Sequence, residues 1–424
     1  MGLFDFLRRL FFPSPSAPAR RSSRSRPSVL PKRRRKPRLV PLRHNVPSPT
    51  WALNNTARTE QPAYAFARIG VGTDRYLDLS LDGSDERLAR YSFPVLRTPA
   101  ELAQWLEIPV GRLAWLAHRY ADDGRPKSER EAHYHYRWLK KRTGGSRLIE
   151  SPKRTLKQAQ RRILREILAK VPPHDAAHGF WTGRSILTNA RRHVKQAVLV
   201  KFDLANFYPS VTLARVTAIF RSLGYSREAS IWLARLTTSA LPSNIPFLKQ
   251  EPSAVLPYLK RHLPQGAPTS PALANLSAYS LDVRLSGLAR SFGANYTRYA
   301  DDLTFSGPAR FGTSLRDFIP LVRQIVRQER FRLNASKRKV LRSSGALVVT
   351  GIVVNEKINV SRREFDRLKA LLNNCAKQGA STQNKAGHPH FAAHVRGRIA
   401  QVSQLNPARG ARLLAVYNQI DWSR

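Results

Sequence analysis

A single cysteine, Cys375, stands in 424 residues, so no intrachain disulfide can form and no cysteine-based zinc site can be built. That scarcity fits a reducing, cytoplasmic setting. Acids are also few: 28 Asp plus Glu face 73 Lys plus Arg, a net charge of +45. This excess is too large for a merely solvated surface and implies a polyanionic partner. No apolar run reaches membrane-spanning length, so no membrane partner is expected. No repeat of solenoid period is visible, and the length suggests two or three structural units.

Because acids are rare, their placement is informative. Asp301 and Asp302 adjoin one another between the β-prone stretches Tyr296 to Tyr299 and Leu303 to Phe305, which reads as a hairpin whose turn carries both acids. Neighbouring strand positions point to opposite faces, so only a tight turn brings both carboxylates to one cation. An isolated Asp-Asp pair is usually an exposed turn. About a hundred residues upstream, however, the apolar run Ala197-Val198-Leu199-Val200-Lys201-Phe202 ends in Asp203, a third acid at the end of a buried strand. Together the three make a cluster suited to two Mg²⁺ ions, roughly 4 Å apart in two-metal phosphoryl transfer.

Pro13 to Pro49 is rich in Pro, Ser and Arg, lacks acids and contains Lys32-Arg33-Arg34-Arg35-Lys36. Such a segment is expected to be a disordered basic arm that adds salt-sensitive affinity for nucleic acid. Before it, Met1 to Phe12 is amphipathic but fits neither a signal peptide nor a myristoylation site. Trp51 to Arg90 is ambiguous, with a short strand at Arg75 to Leu79. Clear order is expected from Thr98-Pro99-Ala100-Glu101, a capped helix start that turns Leu102, Trp105 and Leu106 inward. A second helix from Val110 buries Leu113, Trp115 and Leu116.

Tyr134 to Leu139 and Arg147 to Ile149 flank a basic glycine turn, whose Lys141 and Arg147 are placed to meet a triphosphate. Thr155 to Ala169 reads as a helix with one apolar face and Lys157, Arg161, Arg162 and Arg165 elsewhere, apt for a phosphate backbone. Ser270-Pro271 and Ser361-Arg362-Arg363-Glu364 start further helices, and Val348 to Asn355 forms a strand pair. His388, His390 and His394 lack acidic or cysteine partners, which favours phosphate contact or simple surface placement over a metal site.

With Asp203, Tyr299-Ala300-Asp301-Asp302 and Leu263-Pro264-Gln265-Gly266 in family order, the chain resembles a reverse transcriptase of the retron type from about residue 96 onward. Asn189-Ala190-Arg191-Arg192-His193 matches the NAxxH pattern of that group, and Val349-Thr350-Gly351 matches its VTG pattern. The basic extension is reminiscent of myxobacterial members. The resemblance implies an α+β right-hand polymerase: fingers and palm over 96–360, the palm an antiparallel sheet with packed helices, and a helical thumb over 361–424. A basic, largely disordered extension over 1–95 precedes them. It implies Asp203 and Asp301 as main metal ligands, with Asp302 and the Leu204 carbonyl beside them. Tyr208 would exclude a ribonucleotide 2′-OH, although a buried core tyrosine is as consistent with the sequence. Gln265 and Gly266 would line the nucleotide pocket, Lys141 and Arg147 would hold triphosphate oxygens, and Lys337 would stand near the leaving pyrophosphate. Asn189, His193, Val349, Thr350 and Gly351 would serve RNA recognition, against a structural role for His193.

The same resemblance implies copying of a cognate structured noncoding RNA from a guanosine 2′-OH, with dNTPs as substrates and multicopy single-stranded DNA as product. It further implies an antiphage setting with an effector protein. The alternatives are another prokaryotic reverse transcriptase, group II intron-like or diversity-generating, and a non-catalytic RNA-binding protein.

Overall fold

The computed structural model describes residues 56–70, 72–118, 126–141, 144–242 and 255–422. Met1 to Phe12, the basic arm Pro13 to Pro49, and Arg142 and Thr143 of the glycine turn lie outside these residues.

Residues 56–95, ambiguous in sequence apart from the short strand expected at Arg75 to Leu79, carry regular structure. Strands β1 (Ala57–Thr59), β2 (Arg68–Ile69) and β3 (Tyr76–Asp78) form a small antiparallel sheet in the order β1-β3-β2, followed by helix α1 (Asp85–Arg90). Strands this short carry almost no periodic signal, and their order comes from docking. Tyr64, Leu79 and Leu88 are buried. Asp82 pairs with Arg221 and Arg227, and the amide of Glu228 donates to the Leu79 carbonyl.

Helices α2 (Pro99–Leu106) and α3 (Val110–Leu116) follow. Thr98 caps α2 by accepting from the Glu101 amide, while the Glu101 carboxylate reaches back to the Arg97 amide instead of that of Thr98. Leu113 and Leu116 are buried as expected, but Trp115 is 41% exposed, with the Arg112 guanidinium over its ring. Hydrophobicity suggested burial, and local cation–π packing keeps the indole at the surface instead.

Strands β4 (Tyr134–Lys140) and β5 (Ser146–Pro152) form the basic hairpin, pairing from Tyr134↔Pro152 to Lys140↔Ser146. Leu148 of β5 packs into a cluster with Leu241, Val255 and Tyr258. Helix α4 (Arg154–Glu166) buries Leu156 and Ile163, then α5 (Ile186–Arg191) leads to strand β6 (Val198–Asp203).

Next come α6 (Leu213–Leu223), α7 (Arg227–Thr237), α8 (Ser270–Ser277) and α9 (Tyr279–Ser291). The hairpin β7 (Asn295–Tyr299) and β8 (Asp302–Gly307) precedes α10 (Ala309–Thr313), α11 (Leu315–Gln328) and β9 (Lys339–Arg342). Strands β7-β8-β6-β9 form an antiparallel sheet in that order. Phe305 packs between Tyr296 and Phe318, so an aromatic layer joins the sheet to α11. This is the palm of a right-hand α+β polymerase fold.

The strand pair β10 (Val348–Val349) and β11 (Ile352–Val353) leads into the thumb helices α12 (Arg362–Gln378), α13 (Ala380–Gln383), α14 (Phe391–Leu405) and α15 (Pro407–Tyr417). Ser361 caps α12 through the Glu364 amide, as the sequence indicated. Leu368, Leu372, Val395, Ile399 and Leu413 share one core with Val349, Ile352 and, from α5, Leu187 and Ala190. No described helix is long and apolar enough to cross a membrane.

Candidate active site

The three acids converge through strand register. β6 runs antiparallel to β8 with Asp203 opposite Asp302, and the amide of Leu204 donates to the carbonyl of Asp301 at 2.9 Å. The β7–β8 loop is two residues long: Ala300, at φ +55°, and Asp301 occupy it, while Asp302 opens β8. One acid therefore sits in the turn and the other on the strand, a small departure from the expectation that the turn carries both. The tight left-handed turn is what keeps consecutive side chains near a single strand end.

That crowding is electrostatic as well. Burial, then the charges of Asp203 and Asp302, push the Asp301 carboxyl above the usual carboxylate range. Burial also raises Asp302, against the nearby Lys201 charge, with Asp203 adding to the rise. Lys337 Nζ lies 2.9 Å from Asp203 Oδ2, a cation beside the cluster. The donors are all hard oxygens, which suits a divalent ion such as Mg²⁺. Among the described residues no three acids or histidines stand as a ready-made ligand cage, so the fit rests on donor chemistry and mutual repulsion.

A buried network that the motifs did not reveal holds this turn. Arg298 is fully buried and grips Asp282 on α9 with Nε and Nη2, the latter at 2.6 Å, while its Nη1 donates to Asn275 and to the Ala300 carbonyl. Tyr296 donates its hydroxyl to the same carboxylate, and Asn275 donates to the Gly179 carbonyl. The available sequence signals were an arginine within an apolar hairpin and an acid among the leucines of α9. Neither names its partner.

Tyr208, Gln265, Gly266, Pro268 and Ser270 line an open pocket of ≈ 270 Å³ together with Lys157 and Arg161 of α4. Burial, then the Asp301 charge, pushes the Tyr208 hydroxyl up to about 12. Gln265 accepts from the Glu150 amide at 2.9 Å, so its loop is tied to β5. Gly266 has φ +132°, and a Cβ there would meet the Glu150 carbonyl oxygen at 2.9 Å, so both conformation and space demand glycine. Lys141 and Arg147 are exposed on the hairpin tip. Burial, then the Arg147 and Lys337 charges, lowers the Lys141 pKa against the pull of Asp203 and Asp301. Fingers, acids and pocket thus share one electrostatic neighbourhood.

Residues 139–367 match the family described as reverse transcriptase (RNA-dependent DNA polymerase). The retron Mx65 reverse transcriptase of Myxococcus xanthus is 42% identical over 332 residues, covering 78% of this chain and 73% of that protein. The retron Mx162 reverse transcriptase of the same organism is 34% identical, covering 87% and 78%. The chain belongs to the retron reverse transcriptases. It is an RNA-directed DNA polymerase, and its relatives from Myxococcus xanthus agree with the myxobacterial likeness of its sequence. The retron Ec86 reverse transcriptase of Escherichia coli is 32% identical, covering 65% of this chain and 77% of that protein. A solved telomerase from Candida albicans, in complex with a fragment of telomeric RNA, overlays at TM-score 0.40 and 13% identity over 68% of this chain and 63% of that one.

In this reverse transcriptase the NAxxH and VTG patterns meet. Asn189 Nδ2 donates to Thr350 Oγ1 at 3.5 Å, and Thr350 donates to the Ile186 carbonyl. Thr350 (φ +46°) and Gly351 (φ +85°) form the left-handed turn between β10 and β11. Of the two roles the sequence left open for His193, RNA handling and structural packing, its surroundings match the second. Its ring is fully buried, 2.7 Å from Ser306 Oγ at Nδ1 and 2.7 Å from Thr297 Oγ1 at Nε2, so it clamps β7 to β8. Asn189 and Val349 are buried too, which leaves Thr350 and Gly351 as the accessible members of the set.

Proposed function

We propose that this reverse transcriptase copies a structured noncoding RNA encoded beside it, starting from a guanosine 2′-OH and yielding branched, RNA-linked multicopy single-stranded DNA. The polymerase and its product restrain an effector protein in antiphage defence, in the cytoplasm and away from membranes. The observation that carries this reading is the meeting of the NAxxH helix with the VTG turn beside the catalytic sheet, in a chain whose relatives are retron enzymes. The accessible Thr350–Gly351 turn is the part that contacts the cognate RNA.

Asp203, Asp301 and Asp302, with the Leu204 carbonyl, would hold two Mg²⁺ ions, which when bound supply charge neutralisation at the attacking hydroxyl and the leaving pyrophosphate. The chain itself positions the reactants. Lys141 and Arg147 hold triphosphate oxygens, and Arg147 can do so in a two-pronged manner. Tyr208 lies under the sugar and excludes a 2′-OH, while Gln265 and Gly266 form the pocket wall. Lys337, already paired with Asp203, draws the departing pyrophosphate. We assign fingers and palm to 96–360, the thumb to 361–424 and a basic extension to 1–95.

Sequencing the nucleic acid that copurifies with the chain tests this reading. A covalent junction between an RNA 2′ position and cDNA supports it. Linear cDNA without such a junction contradicts it and favours a group II intron-like or diversity-generating enzyme.

A further inference from the structure

Beneath the pocket lies an ion pair with no role in the chemistry described so far. Glu150 of β5 and His262, three residues before Gln265, are both fully buried and meet at 2.8 Å between Oε2 and Nε2. The other ring nitrogen of His262 is 2.7 Å from the Lys260 carbonyl. Acceptors at both nitrogens favour the doubly protonated ring. Burial works against that charge, but the charge and hydrogen bond of Glu150, with the Lys260 carbonyl, more than offset it and hold the His262 pKa above its ordinary value. The groups facing the pair are Arg261 from its own segment, Tyr258 with its ring 5.3 Å from the imidazole, and Tyr134 and Tyr136 from β4.

The position of the pair matters more than its strength. Replacing a buried ion pair by apolar side chains is often neutral or stabilising, so stability alone is a poor reason for one here. Glu150 is three residues from Arg147 on the same strand, and His262 is three residues from Gln265. Backbone contacts follow the same seam: Glu150 donates its amide to Gln265, Gly266 packs against the Glu150 carbonyl, and His262 exchanges backbone hydrogen bonds with Ser239 at 2.8 and 2.9 Å.

We propose that Glu150 and His262 are a positioning pair that locks the β4–β5 hairpin to the Gln265–Gly266 loop and thereby sets the affinity for the incoming nucleoside triphosphate. This rests on the assignment of that pocket to the nucleotide. The test is single-nucleotide extension on a primed homopolymer RNA by the full chain, in wild type, Glu150→Gln, His262→Gln, the apolar double variant Glu150→Leu/His262→Leu, and Arg147→Ala. The expected result is a rise of about tenfold in KM for the nucleotide in each single pair variant, with kcat within about twofold. Wild-type KM also rises with pH above the ordinary imidazole range, and His262→Gln lacks that rise. The double variant recovers thermal stability but not KM. Recovery of both, or an unchanged KM in folded Glu150→Gln while Arg147→Ala raises it, overturns the positioning role. An unchanged KM in Arg147→Ala as well overturns the pocket assignment and the pair with it.

Discussion

The ammonium of Lys337 sits 2.9 Å from Oδ2 of Asp203, on the strand end that the register places opposite Asp302. A protein cation thus partly balances acids that otherwise repel one another. Lys337→Met is expected to lower the melting temperature of the metal-free enzyme and to enlarge the increase produced by added Mg²⁺. Thermal denaturation with EDTA and with Mg²⁺ measures both. Equal Mg²⁺-induced increases in variant and wild type would mean that the lysine does not share the cation's place.

Asp301 has its pKa raised by burial and by its two acidic neighbours. A carboxyl raised in the folded state binds protons more readily folded than unfolded, so it destabilises the protein at neutral pH and ceases to do so as pH falls through its folded pKa. Asp301→Asn should therefore raise the metal-free melting temperature at pH 7 by about 1–2 °C, roughly 1 kcal/mol in a chain of this size. Calorimetry at pH 7 and pH 4 should find the gain smaller at the lower pH. A loss of stability at pH 7 would contradict the repulsion.

His193 is lowered to about 3 by burial, with the charge of His178 adding, and both ring nitrogens are engaged. Its contribution to stability is full above the ordinary imidazole pKa of 6.5 and is lost as pH falls from there toward about 3, because only the unfolded ring accepts a proton in that window. His193→Ala is expected to cost about 2–4 kcal/mol in denaturant unfolding, by leaving Ser306 and Thr297 without their partner. Retained stability with lost discrimination between RNAs would restore a direct role in recognition.

Tyr208 lines the pocket beside Gln265 and Gly266. Tyr208→Ala is expected to raise ribonucleotide incorporation relative to deoxyribonucleotide incorporation by at least about tenfold, since removing the ring removes a steric barrier that a missing contact elsewhere cannot supply. Competition assays on an RNA template measure the ratio. An unchanged ratio makes the residue a packing tyrosine.

What the sequence made legible was local or patterned. An apolar run ending in Asp203, acids between two β-prone stretches, the glycine turn of the basic hairpin and the Ser361 cap each carry their signal within a few residues. Partners far apart in the chain do not. Arg298 and Asp282 are separated by a helix end and a loop, and nothing in either segment says that they pair. His193 bonds to residues more than a hundred positions away, so the sequence left RNA handling and a structural role both open until the fold placed its partners. Short strands such as β1 and β2 lie below any periodic threshold, which is why only the strand at Arg75 to Leu79 was legible between residues 56 and 95.

The central claim is that Asp203, Asp301 and Asp302 carry the chemistry while the basic surface carries the RNA. Primer extension by Asp301→Asn/Asp302→Asn, with RNA affinity measured on the same preparation, tests it most directly. The account predicts a loss of synthesis of at least about a thousandfold with RNA affinity within about twofold of wild type. Synthesis at the wild-type rate would contradict it.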